Sequence, residues 1–152
     1  RIMRNKMAAQ NIDASKVNVS NIIDISLLDN QGNRRSLTDL KGKVVMLDFH
    51  VFGSNGSTKR IMEMRELYNK YHDRGFEIYQ VAFDPDEHFW KTQTAALPWI
   101  SVRDPQGLQS QNLAAYNVSS IPTFFLIDRN NEVKKRDSQI TDIDAEINAL
   151  LN

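Results

Sequence analysis

The side chains able to do chemistry are gathered in one stretch. Asp48 and His50 are followed closely by Ser54, Ser57, Lys59 and Arg60. Two kinds of chemistry suggest themselves. A hydroxyl, an imidazole and a carboxylate are the ingredients of a serine hydrolase. However, the stretch F-H-V-F-G-S-N-G-S is no G-x-S-x-G elbow, and Asp48 and His50 are related to a serine here only by proximity in sequence. Hydrolysis is therefore not the leading reading. The second is anion or carboxylate binding by Ser54, Ser57, Lys59 and Arg60 at a helix N-terminus, where unpaired N–H groups favour negative charge. The chain has no cysteine. That removes disulfides, zinc–thiolate sites and thiol catalysis. His72 and His88 have no partners at ligand spacing, so no metal site is expected, and no feature calls for a cofactor.

These residues need a strand, a tight loop and a helix to hold them. Residues 44–49, V-V-M-L-D-F, form an apolar run of the kind that suits a strand covered on both faces. Residues 53–57, G-S-N-G-S, are loop and cap chemistry. Ile61, Met64, Leu67, Tyr68 and Tyr71 then recur at helical spacing, with Met62 and Met64 at core or near-core positions. Gly75 closes this helix. Residues 76–83 read as a second strand, and Asp86 as the cap of a helix over 87–94. Residues 97–102 are extended, 108–116 a short helix, and 123–127 a third apolar strand that turns back through 132–136. Ile143, Ile147, Leu150 and Leu151 are the buried stripe of a closing helix. Upstream, residues 22–28 and 34–37 flank the turn N-Q-G-N as a β-hairpin. Trp90 and Trp99 read as packing residues rather than a cofactor platform, with Trp99, after Pro98, also placed to border the site loop. The order predicts an α/β fold: a mixed central sheet flanked by helices, parallel at its core with one antiparallel strand, and an N-terminal β-hairpin.

The chain has 152 residues, of which 41% are hydrophobic, enough for one domain with a sizeable core. Its formal net charge of zero argues against nucleic-acid binding through bulk electrostatics. Arg1, Arg4 and Lys6 leave the first ten residues basic, and the rest of the chain is correspondingly acidic. No apolar run is long enough to span a membrane. Residues 1–21 read as an N-terminal tail or linker, Ile2, Met3 and Met7 having the spacing of a helix end from a preceding domain, and 22–152 as the folded domain.

Three segments together resemble the TlpA/ResA-type branch of the thioredoxin superfamily, thiol–disulfide oxidoreductases close to the AhpC/TSA group. They are L-K-G-K-V-V-M-L-D-F at 40–49, Leu97-Pro98-Trp99 with the turn at 104–107, and Y-N-V-S-S-I-P-T-F-F-L-I-D at 116–128. The resemblance spans roughly Ile22 to the C-terminus and implies a thioredoxin fold. It also implies thiol–disulfide exchange in an extracytoplasmic compartment, periplasmic or anchored to a membrane facing the periplasm. At Ile121-Pro122 it implies a cis peptide bond beside the loop, with the residue before the proline offering its backbone to an extended polypeptide. Asp48 matches the family's buried acid, which here would hydrogen-bond Ser57 or Arg60 or act as a structural carboxylate.

The departure falls on the site itself. Ser54 and Ser57 stand where the family has its two cysteines, His50 and Gly53 where tryptophans are usual, Arg60 in place of an acid and Met62 in place of a proline. A serine hydroxyl ionises far above a thiol and has no two-electron disulfide couple. The expectation is a redox-inactive, polypeptide-binding module whose site comprises Ser54, Asn55, Gly56, Ser57, Ile121 and Pro122, supported by Asp48, His50 and Arg60. The alternative is an oxidoreductase whose Cys-x-x-Cys was mutated to Ser-x-x-Ser. The four further changes around the serines favour natural divergence.

Overall fold

The computed structural model describes residues 22–152; the tail or linker expected over 1–21 lies outside them. Its core is a five-stranded sheet in the order β5-β4-β3-β6-β7. The strands are β3 (Val44–His50), β4 (Phe76–Ala82), β5 (Ile100–Arg103), β6 (Thr123–Ile127) and β7 (Val133–Arg136). β3 runs parallel to β4, and β4 to β5, while β6 is antiparallel to both β3 and β7. β6 is thus the single reversed strand that the sequence order predicts. Ahead of the sheet, β1 (Ser26–Leu28) and β2 (Arg34–Ser36) pair as an antiparallel hairpin. Asp29 shapes the hairpin turn by accepting hydrogen bonds from the N–H groups of Gln31 and Asn33, both at 2.9 Å.

Four helices cover the sheet: α1 (Ser57–Tyr71), α2 (Glu87–Thr94), α3 (Gln111–Ala115) and α4 (Ile143–Leu151). β3 and β4 are buried along their whole length, so their side chains sort by alternation rather than by polarity. Val45, Leu47 and Phe49 pack with Tyr79, Val81, Leu113 and Tyr116 on one face. Val44 and Met46 pack with Met64, Tyr71, Ile147 and Leu151 on the other. The period of two therefore sends Asp48 and His50 to the face covered by α1. Gln80, in register with Asp48, goes with them.

α1 runs on into a 3₁₀ turn at His72–Arg74 that ends at the left-handed Gly75 (φ 104°). A Cβ there would lie 2.7 Å from the Arg129 guanidinium. Arg129 donates to the carbonyls of Gly42 and Arg74, tying the β6–β7 turn to the end of α1. α2 starts as predicted, with the Asp86 carboxylate accepting from the N–H of Phe89.

Two local expectations are corrected. The helix expected over 108–116 is divided, because Ser110 sits in extended backbone and caps α3 by accepting from the N–H of Asn112 at 2.9 Å. Met62 is 62% exposed rather than near the core, since of the two methionines on α1 only Met64 turns inward.

Candidate functional site

β3 delivers the chain to a turn at residues 51–56, and α1 begins at Ser57. Gly56 adopts a left-handed φ of 85°, which suits a residue without Cβ at the entrance to the helix. The turn is anchored from β4's end by Asp84. Its carboxylate accepts from the N–H groups of Phe52 at 2.8 Å and Gly53 at 3.0 Å. Asp84 is nearly fully buried and fixes the turn's position. Sequence reasoning gave it no role beyond ending a strand, because its partners are some thirty residues away.

Under the turn lies a buried polar network. Asp48, fully buried, accepts from the Arg60 guanidinium on one oxygen and from Gln80 Nε2 at 3.0 Å on the other. Gln80 Oε1 in turn accepts from Trp99 Nε1 at 2.9 Å. Trp99 therefore has a polar as well as a packing role, which its position after Pro98 does not disclose. Arg60 folds inward over the ring of Phe124. Its guanidinium is thus committed to Asp48 rather than to an external anion. Of the two partners expected for Asp48, the structure selects Arg60, while Ser57 goes to a different residue.

That residue is His50. Its Nε2 lies 2.7 Å from Ser57 Oγ, and both residues are buried. The other ring nitrogen, Nδ1, is 3.8 Å from Asp48 Oδ2 and has no hydrogen-bond partner among the described residues. Burial pushes the imidazole pKa below its ordinary value, more than the Asp48 and Asp84 carboxylates restore. The ring is neutral at pH 7. The Asp48 carboxylate facing Nδ1 favours the tautomer with its proton on Nδ1, in which the Ser57 hydroxyl donates to Nε2. The expectation that Asp48 and His50 meet a serine only in sequence is overturned for Ser57. Parity in β3 and the start of α1 bring the three together.

Ser54 is placed differently. It is exposed, and its hydroxyl donates to the Val51 carbonyl at 2.6 Å. Asn55 and Gly56 are also exposed on the turn. The Ile121-Pro122 peptide bond is cis. Between the turn and residues 119–121 lies a groove of about 630 Å³, bordered by Val51, Ser54, Leu108, Leu113, Val118 and Ile121. No charged side chain lines it. Leu108 is 72% exposed at its rim. The backbone N–H and C=O of Ile121 have no hydrogen-bond partner among the described residues. Leu108 and Leu113 were read from sequence only as part of a short helix, and Val118 only as part of the family-like segment at 116–128. Among the described residues there is no cluster of His, Cys, Asp or Glu that could hold a metal ion. None of their helices is long and apolar enough to cross a membrane.

Comparison with known proteins matches this arrangement to one group. The profile of the AhpC/TSA family matches residues 19–136. The thiol-disulfide oxidoreductase ResA of Geobacillus kaustophilus is 36% identical over 116 residues, covering 74% of this chain and 64% of that protein. ResA of Bacillus subtilis is 33% identical over 113 residues, covering 72% and 60%. The chain thus spans somewhat less than two thirds of the length of these relatives. Among solved structures, an uncharacterized thioredoxin-like protein from Bacteroides vulgatus superimposes with a TM-score of 0.81 at 53% identity, covering 86% of each chain. The thioredoxin domain of a thiol-disulfide oxidoreductase from the same organism superimposes with a TM-score of 0.80 at 27% identity, covering 91% of this chain and 100% of that one.

Proposed function

Since the chain belongs to the AhpC/TSA family and has the fold of its thioredoxin-like thiol–disulfide oxidoreductase relatives, we propose that it is a redox-inactive member that binds an extended polypeptide beside Ile121. The observation that carries this reading is the uncharged groove next to the backbone N–H and C=O of Ile121, which have no partner among the described residues. An extended segment satisfies those groups as an added strand would and places its side chains against Val51, Leu113 and Val118. Val51 and Ser54 form the facing wall, and the rest of the turn, Asn55 and Gly56, leads into Ser57, which is held by His50 beneath it beside the Asp48–Arg60 pair. The thiolate needed for disulfide exchange has no counterpart here, because residues 54 and 57 are serines. The resemblance to ResA supports an extracytoplasmic location, periplasmic or tethered to a membrane facing the periplasm.

NMR titration of the ¹⁵N-labelled chain with a permanently unfolded polypeptide, reduced and carboxymethylated α-lactalbumin, tests the binding. Amide shifts are expected at Val51, Ser54, Ser120 and Ile121, and Leu108→Asp at the groove rim is expected to abolish them. Shifts scattered over the surface, or none, would overturn the reading. A second reading is supported by the intact fold: an oxidoreductase whose cysteines were replaced at 54 and 57. Sequencing the gene at those two codons distinguishes them, since cysteine codons would establish replacement.

A further inference from the structure

The contact between His50 and Ser57 goes beyond polypeptide binding. We propose that Ser57 and His50 form a nucleophile–base pair for acyl transfer, taking a small uncharged carboxylic ester as acyl donor. A hydroxyl nucleophile needs a base within hydrogen-bond reach, a third group to orient that base, and donors for the oxyanion. Ser57 Oγ and His50 Nε2 meet the first requirement at 2.7 Å. Asp48 meets the second. It is fully buried and held by Arg60 and Gln80, with Oδ2 facing His50 Nδ1 at 3.8 Å. That separation is loose, as such contacts often are before substrate binds. Nδ1 has no competing partner among the described residues, so nothing diverts it from Asp48.

The third requirement is met by the start of α1. Ser57 is its first residue, no side chain caps it, and the N–H groups of Thr58 and Lys59 have no acceptor among the described residues. The residue following the nucleophile thus leaves its N–H available as an oxyanion donor. Burial keeps the imidazole neutral and able to accept a proton.

In the step itself, Ser57 Oγ attacks the ester carbonyl carbon while its proton passes to His50 Nε2. The Oγ–acyl bond forms, the ester C–O bond breaks, and the departing alkoxide takes the proton from Nε2. Water, activated by the same imidazole, then releases the carboxylic acid and restores the serine. No oxidant or metal enters the balance. Ser57 is only 7% exposed, so the donor must be slender. The turn ahead of the serine, through Val51 and Ser54, borders an uncharged groove, which suits an uncharged donor.

Treatment of the whole chain with p-nitrophenyl acetate, followed by peptide mass mapping, tests the pair. Acetylation is expected at Ser57 and absent at Ser54, which lies on the same turn but has no base against it. His50→Gln is expected to slow labelling of Ser57 by about 100-fold, the contribution of a positioned general base. No acetyl on Ser57, or labelling indifferent to His50→Gln, would overturn the proposal. Should that variant fail to fold, long-range ¹H–¹⁵N correlation of the unaltered chain decides. The proposal requires the proton of His50 on Nδ1. A ring protonated on Nε2 would donate to Ser57 and could not act as its base.

Discussion

At the residue scale, the site is a set of buried polar groups that satisfy one another unequally. Asp48 depends on Arg60 and Gln80, so removing one partner leaves a carboxylate in the sheet's interior without its counter-charge. Arg60→Ala is expected to lower stability by roughly 3 kcal/mol, read from urea unfolding. Replacing both partners with apolar residues, Asp48→Leu with Arg60→Met, should cost less than that single change, because no charge is then stranded. His50 sets a pH dependence. Its folded pKa lies below the ordinary 6.5 because burial penalises the cation. The unfolded chain therefore binds the proton more readily. Stability from this group is fully present above about pH 6.5 and is lost as pH falls through the depressed folded value. The urea midpoint should fall between about pH 7.5 and about pH 5, and His50→Gln should flatten that slope. Asp29 and Asp144, whose pKa values are lowered, act at more acidic pH, where their carboxylates protonate.

At the element scale, β3 and α1 build the site between them. The apolar run at 44–49 and the helical spacing from Ile61 to Tyr71 made both elements legible in the sequence. The turn between them was legible as glycine and serine chemistry. Its anchoring by Asp84 was not, since that bond joins the ends of two adjacent parallel strands. Gly75 shows how the next connection is held. Its φ of 104° is disfavoured for an L-residue, and an added Cβ would press on Arg129. Gly75→Ala is expected to cost about 1–2 kcal/mol. It should also loosen the Arg129 bonds to Gly42 and Arg74, read as faster hydrogen exchange at the β6–β7 turn. The short helix at 111–115 marks a limit of periodicity as a guide. Residues 108–116 have a helix-like composition, yet Ser110 with Asp104 and Asn112 forms a local hydrogen-bonded cap that starts the helix late.

At the scale of the whole molecule, the thioredoxin-like framework is intact while the thiols are missing. The unaltered chain is expected to show no reduction of insulin disulfides above a buffer blank, and turnover would overturn the assignment of redox inactivity. Ser54→Cys combined with Ser57→Cys restores the family's spacing at the start of α1 and is expected to give measurable turnover. The helix N-terminus favours a thiolate there.

The fold was legible from sequence because it rests on local signals. Two apolar strands, a long amphipathic helix, an Asp86 cap and the order β-α-β then β-β-α leave few sheet topologies open. The replacement of both cysteines was equally plain, since it is a matter of residue type. Side-chain pairing in three dimensions was not. Ser54 and Ser57 look interchangeable in sequence, but only Ser57 meets His50. Asp48 had two candidate partners, and Arg60 took it. The physical reason is direction. Strand parity decides which face of β3 a side chain enters, and the turn at 51–56 decides which serine α1 swings over that face. Both depend on the packing of α1 against the sheet, which no single stretch of sequence contains.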